Sequence, residues 1–97
     1  MKLKTLRNRY MPNYAIPPGD TLREVLEGRK MTQKELAAKL GMSHEHLNRI
    51  IRGIAPITLS TAWKLEIILG IPRTFWNNLE KNYRETKARL ENEKRRS

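Results

Sequence analysis

The densest run of side chains able to do chemistry is Ser43-His44-Glu45-His46, with Asn48, Arg49 and Arg52 close behind it. Two imidazoles around a carboxylate could hold a metal ion and activate its water, and the run approaches the H-E-x-x-H helix of zinc peptidases. The spacing excludes that chemistry. After His44 and Glu45 the second histidine belongs at position 48, which is Asn48, while His44 and His46 point to different sides of any helix. No metal or cofactor is expected. Asp20 is the one aspartate and cysteine is absent, so a nucleophile with a base and an orienting carboxylate has almost no material. The glycines, at 19, 28, 41, 53 and 70, stand too far apart for a phosphate-cradling loop. An enzyme is therefore not expected. The same polar side chains suit another chemistry: presented by one helix, Arg49 could bond bidentately to guanine O6 and N7, Glu45 could accept from cytosine N4, and His44 could donate or accept according to its tautomer.

Size and charge favour binding over catalysis. The chain has 97 residues and a mass of 11.4 kDa, and a core of this size covers only roughly 60% of the surface that the unfolded chain exposes. Twenty Lys and Arg against ten Asp and Glu leave a formal charge of +10 and a pI near 10.4, which points first to nucleic acid. Residues 1–18 carry +4, 19–53 carry +2, 54–72 are neutral and 73–97 carry +4. The basic ends, including Lys2, Lys4, Arg7 and Arg9, are either nucleic-acid arms or simply solvated tails. Specificity must come from the middle. No apolar run is long enough for a secretory signal or a membrane span, which leads to the cytoplasm, on the nucleoid if DNA is the partner.

Those side chains need a helix to present them, and the sequence punctuates five. Pro18 can open a first helix in which Leu22, Val25 and Leu26 repeat at i, i+3 and i+4 until Gly28. Thr32-Gln33-Lys34-Glu35 spells a capping box, starting a second helix that carries Leu36, Ala37 and Leu40 to Gly41. Ser43 caps a third, with Leu47, Ile50 and Ile51 inward before Gly53. Thr58 caps a fourth, with Ala62, Leu65 and Leu69 inward and Gly70 at its end. Pro72 opens a long fifth, where Trp76, Leu79 and Tyr83 share a face and Glu80–Arg84 and Glu85–Arg89 can pair at i, i+4. No strand pattern competes. The expected fold is all-α, a compact orthogonal bundle of about five helices with a long C-terminal helix. It divides into a basic arm over 1–16, a helix-turn-helix domain over 17–71 and a C-terminal helix with a basic tail over 72–97. Gly41-Met42-Ser43 supplies the turn, and small Ala37 lets the two helices flanking it approach.

The run T-Q-K-E-L-A-A-K-L-G-M-S followed by L-N-R-I-I-R-G resembles the XRE/Cro/C1-type, lambda-repressor-like helix-turn-helix domains of bacterial and phage repressors. Within that family, Y-A-I-P-P-G-D-T-L-R-E-V-L, the A-P-I-T after Gly53 and L-G-I-P-R-T-F-W-N-N-L-E look like HigA antitoxins, also called plasmid maintenance antidote proteins. The resemblance spans roughly Tyr14 to Tyr83. It implies a homodimer on a palindromic DNA operator that represses its own operon and neutralises HigB, a ribosome-dependent mRNA-cleaving toxin. It also makes His44, Glu45 and Arg49 look like base readers, with Asn48 beside them, and Gln33 like the family's phosphate-binding glutamine.

Elementary chemistry leaves some of these roles open. Glu45 could serve the amino end of its own helix as well as a base, since phosphates repel a carboxylate. Thr32, Ser43 and Arg52 are further phosphate candidates, yet Thr32 and Ser43 are needed as caps in any case. Two or three base contacts at roughly 1–3 kcal/mol each give little margin over non-specific binding, so two copies are required. Trp76, Leu79 and Tyr83, with Phe75, make the fifth helix the candidate dimer element, although a monomeric core also accounts for Phe75 and Trp76. The P-P-G lead-in and F-W-N-N-L-E-K-N-Y-R-E also resemble the amino-terminal module of ImmA/IrrE-type regulators, in which DNA binding would remain without a toxin. A stand-alone regulator would likewise have none, and a third class is a basic module that docks an acidic protein.

Overall fold

Every regular element of the computed structural model, which describes residues 15–96, is a helix: α1 Pro18–Arg29, α2 Gln33–Leu40, α3 His44–Ile51, α4 Leu59–Leu69 and α5 Arg73–Arg96. The all-α helix-turn-helix bundle expected from the periodicities is the fold. Of the basic arm at 1–16, all but Ala15 and Ile16 lies outside the described residues.

The caps form as the residue types require. The Thr32 hydroxyl accepts from the Glu35 N–H at 3.0 Å, and Glu35 Oε1 accepts from the Thr32 N–H at 3.0 Å, closing the capping box of α2. Ser43 Oγ accepts from the His46 N–H and Thr58 Oγ1 from the Thr61 N–H, starting α3 and α4. Gly41 ends α2 at φ +73, with its own N–H on the Ala38 carbonyl and that of Met42 on Ala37, the paired bonds of a left-handed helix stop. One stop differs from expectation. Gly28 stays helical, and α1 ends instead at Lys30, which takes the left-handed conformation at φ +56 and donates to the Glu27 carbonyl while Met31 donates to Leu26. The two bonds to orphan carbonyls offset the cost of a Cβ in that conformation.

The capping box carries a pH signature. The Thr32 N–H, and after it the Thr32 hydroxyl, hold the Glu35 carboxyl below its ordinary value of 4.5; partial desolvation opposes them and Lys39 adds to them. A depressed carboxyl stabilises the fold above the unfolded-state value and loses that contribution as pH falls through the folded-state value. Urea melts should therefore show Glu35→Gln less stable than the parent near neutral pH and indistinguishable from it well below 4. Thr32→Ala, which removes the hydroxyl acceptor, should cost about 1 kcal/mol near neutral pH.

One core gathers all five helices: Leu22 and Leu26 of α1, Leu36, Ala37 and Leu40 of α2, Leu47, Ile50 and Ile51 of α3, Ala62, Leu65 and Leu69 of α4, and Trp76 of α5, with Ile57 from the connecting loop. Trp76 is completely buried, with Phe75 edge-on to it at 5.2 Å. That corrects its assignment as a dimer contact: the indole fills the monomer's own core, which extends past Pro72 into the fifth helix. Leu79 is partly buried against the same core, and Tyr83 is half-covered, with the Arg84 guanidinium 4.9 Å from its ring centroid.

Three ties that sequence reasoning missed fasten α5 to the rest. Glu66 of α4 accepts from the Arg73 N–H at 2.8 Å, capping α5 from outside. Glu80 accepts from the Ile57 N–H at 3.0 Å and also binds Arg84, as the i, i+4 spacing predicts. The Tyr83 hydroxyl lies 3.0 Å from where a Cβ on Gly53 would stand, so α5 reaches the end of α3. Farther along, Arg89 pairs with Glu93 at 2.9 Å, and α5 continues as a helix past Leu90 to Arg96. Among the described residues no helix is long and apolar enough to cross a membrane.

Candidate nucleic-acid interface

The elements that matter most are α2 and α3, joined by Gly41-Met42-Ser43. Leu47, Ile50 and Ile51 anchor α3 in the core, and a helix carries successive side chains about 100° apart, so the rest of α3 must face away. It does. His44, Glu45, His46, Arg49 and Arg52 are exposed, and Asn48 lies at the edge, half-buried.

What holds α3 there is a contact that the sequence did not disclose. Gly19 of α1 packs so closely on the end of α3 that a Cβ would overlap the Ile51 carbonyl oxygen and Cα. Gly53, at φ +79, closes the same end with Pro17 packed 2.9 Å from its would-be Cβ. A glycine directly after two prolines was the available signal for the first, but reading it needs to be told what lies across from α1. The exposed helix is thus set on backbone-to-backbone packing, which has no rotamer to adjust.

The amino end of α2 lies beside α3. Asn48 Nδ2 donates to Gln33 Oε1 at 3.4 Å, tying the first residue of α2 to the middle of α3. This bond leaves Gln33 its amide NH2 as a donor and Asn48 its carbonyl oxygen as an acceptor. Thr32 and Ser43, both exposed, each accept one cap bond on the hydroxyl oxygen; Ser43 keeps its hydroxyl proton to donate, whereas that of Thr32 also serves the Glu35 carboxyl and must turn away from it to reach a phosphate. Glu45 occupies the first turn of α3, where the helix dipole favours a carboxylate, yet the hydrogen-bonded cap is Ser43; among the described residues the Glu45 carboxylate makes no hydrogen bond.

His44, Glu45, Asn48 and Arg49 are thus brought onto one side, with Gln33, Thr32, Ser43 and Arg52 around it, while Trp76, Leu79 and Tyr83 belong to another part of the molecule. The set offers donors for phosphate at its edges and donors plus acceptors along its middle. No group of three or more His, Cys, Asp or Glu stands ready to hold a metal among the described residues.

Comparison with known proteins places this geometry. The helix-turn-helix family matches residues 22–76. No curated protein sequence matches the chain. Among solved structures, an addiction-module antidote protein of the HigA family from Coxiella burnetii is 30% identical over 84% of this chain and 90% of its own, with a TM-score of 0.75. The Pseudomonas aeruginosa antitoxin HigA, solved with the higBA promoter, is 30% identical over 84% of this chain and 89% of its own, at 0.76. An antidote protein of a plasmid maintenance system from Nostoc punctiforme shares the fold at 0.78, with 24% identity over 84% of this chain and 90% of that one. The chain belongs to the XRE-type helix-turn-helix family of DNA-binding proteins, which are not enzymes, and stands within it among the HigA-type antidotes.

Proposed function

We propose that two copies of this chain bind a palindromic operator in double-stranded DNA, each laying α3 in the major groove, that they repress the operon encoding them, and that the chain neutralises a HigB-type mRNA-cleaving toxin. The work is cytoplasmic, on the nucleoid. The observation that carries the DNA part is the division of α3 into a face sunk in the core and a fully polar exposed face, braced through Asn48 and Gln33 against the amino end of α2. That the Pseudomonas aeruginosa HigA was solved with the higBA promoter supports DNA as the partner.

The roles follow from the donor and acceptor inventory. Arg49 reads guanine bidentately; His44 and Glu45 read from the amino end of α3, Glu45 as acceptor for cytosine N4; Asn48 offers its free carbonyl oxygen to an exocyclic amine. Gln33 places its amide NH2 on a phosphate at the positive end of α2, with Thr32, Ser43 and Arg52 as further phosphate donors. These set register without reading sequence. Two such surfaces address half-sites about one helical turn, roughly 34 Å, apart.

Substitutions separate reading from positioning. Arg49→Ala should cost about 1–3 kcal/mol on the operator and erase preference at one base pair in each half-site. Gln33→Ala should weaken operator and random duplex by the same factor and leave the slope of log K against log salt unchanged, because a neutral amide displaces no counterion. Arg52→Ala should reduce that slope by about 0.9 for each phosphate that is no longer neutralised. Gel shifts on both duplexes over a salt series are the measurement; equal weakening on both duplexes for Arg49→Ala would remove it from the reading set.

The toxin is tested apart from DNA. Co-expression with the adjacent open reading frame should bring down a stable complex and relieve growth arrest. A missing complex overturns the antidote role and leaves a stand-alone regulator with its DNA-binding intact.

A further inference from the structure

Leu59, Trp63 and Ile67 recur every fourth residue along α4 and are exposed by 76, 52 and 64%. The other side of α4, with Ala62, Leu65 and Leu69, is in the core. A helix apolar on both sides belongs between two layers, and the monomer supplies one. The three side chains leave on the order of 400 Å² of apolar surface to water, within the roughly 300–600 Å² of the largest patch on a typical monomer, which is often functional. It is about half of the roughly 800 Å² that each partner contributes to a standard interface, leaving the remainder to a polar rim.

We propose that this face of α4 is where a second copy of the chain docks, the two α4 helices crossing antiparallel about a two-fold axis at Trp63. The inference rests on the dimeric operator-binding reading and gives that dimer its surface. Charge selects a second copy as the occupant. Each chain carries +10, so copies repel over most of their surface, whereas residues 54–72 are neutral. The two charges of α4 are engaged within their own chain: Lys64 Nζ donates to the Leu40 carbonyl at 3.3 Å and Glu66 accepts from the Arg73 N–H. The α4 helix therefore brings no net charge to the pairing, and the cations that border its apolar stripe are Lys64 itself and Lys39 of α2.

The spacing is also self-complementary, as a two-fold interface requires. Leu59 and Ile67 stand equally far from Trp63 along the helix, so an antiparallel pair sets Leu59 of each copy beside Ile67 of the other and the two indoles at the centre, where tryptophan contributes most. Beside Ile67 runs a groove of about 240 Å³ whose apolar wall of Leu40 and Ile68 can take the incoming leucine, with Lys39 and Lys64 also in its lining. Because α4 packs on α2 and α5 while α3 packs on α1 and α2, closing this face leaves the exposed side of α3 open.

The test is sedimentation of the full chain over a concentration series, beside Leu59→Glu and Ile67→Lys made separately. Each variant should keep its helical circular dichroism and raise the dimer dissociation constant roughly 100-fold or more, since the change appears twice in a two-fold pair. Mixing the two variants should restore a dimer: one end then pairs the new carboxylate with the new ammonium, and the other keeps leucine against isoleucine. That rescue cannot come from a misfolded chain. Tryptophan emission of the parent should also shift to the blue on dimerisation through Trp63 alone, because Trp76 is already fully buried. A parent dimer that survives both substitutions, or variants that stay monomeric when mixed, overturns the α4 pairing while the dimer stands. A parent that is monomeric at concentrations saturating the operator overturns the dimer as well, and capture of the adjacent gene product by this face would assign it to the toxin instead.

Discussion

Gly19→Ala should destabilise the protein by about 3 kcal/mol, against the direction that helix propensity alone would give. In a helix interior alanine is preferred to glycine by about 1 kcal/mol. Here the new methyl would overlap the Ile51 carbonyl oxygen and Cα, and carbon atoms need roughly 3.5 Å or more between them. Overpacking ordinarily costs about 1–3 kcal/mol, and the upper end applies because the obstacle is backbone with no alternative rotamer. Either α1 moves or the carboxyl end of α3 does. The second would turn Arg49 and Arg52 out of register, so operator affinity should fall by a larger factor than affinity for random duplex in whatever protein remains folded. Gly28→Ala is the control. That position is helical, with nothing within 4 Å of the added Cβ, so the same substitution should stabilise by up to about 1 kcal/mol. Urea melts of the two variants that moved together would deny the close approach of α1 and α3.

Trp76→Ala should cost about 3–5 kcal/mol, the range for emptying a buried aromatic site. A domain of this length holds only about 5–15 kcal/mol in all, so a substantial fraction of the variant should be unfolded near body temperature. The loss separates core from interface: an interfacial tryptophan weakens a fold in proportion to assembly, whereas this one should lower the melting temperature at every protein concentration. Trp76→Phe should lose far less, on the order of 1 kcal/mol. It keeps a ring against Phe75 and removes an indole N–H that is buried without a hydrogen-bond partner among the described residues.

These two expectations mark where the sequence was readable and where it was not. Thr32, Ser43 and Thr58 were legible as caps because each bonds a backbone amide three residues ahead, a relation written in the local sequence. The inward stripes were legible for the same reason, and so was the exposed polar face of α3, which is whatever the stripe leaves over. Lys30 was not, since a left-handed lysine depends on how the chain leaves α1. The fourth helix is the clearest case. Ala62, Leu65 and Leu69 were placed inward correctly, but Leu59, Trp63 and Ile67 carry as much apolar area on the other side, and hydropathy has no way to tell a buried side from a waiting one. Sequence points to the fifth helix as the dimer element through Phe75, Trp76, Leu79 and Tyr83 together, with a monomeric core an equal account of Phe75 and Trp76; the fold uses Trp76 completely.

Residue order alone was enough for the helices, their limits to within a turn, the family and the polar side chains that α3 exposes, because each rests on interactions within about four residues or on a motif that is contiguous. Three-dimensional packing settled which tryptophan is core and which is open, why Gly19 must lack a side chain, and how Gln33 and Asn48 come to share a hydrogen bond. Those pairs are 15 or more residues apart, and only the crossing of one helix on another brings them together.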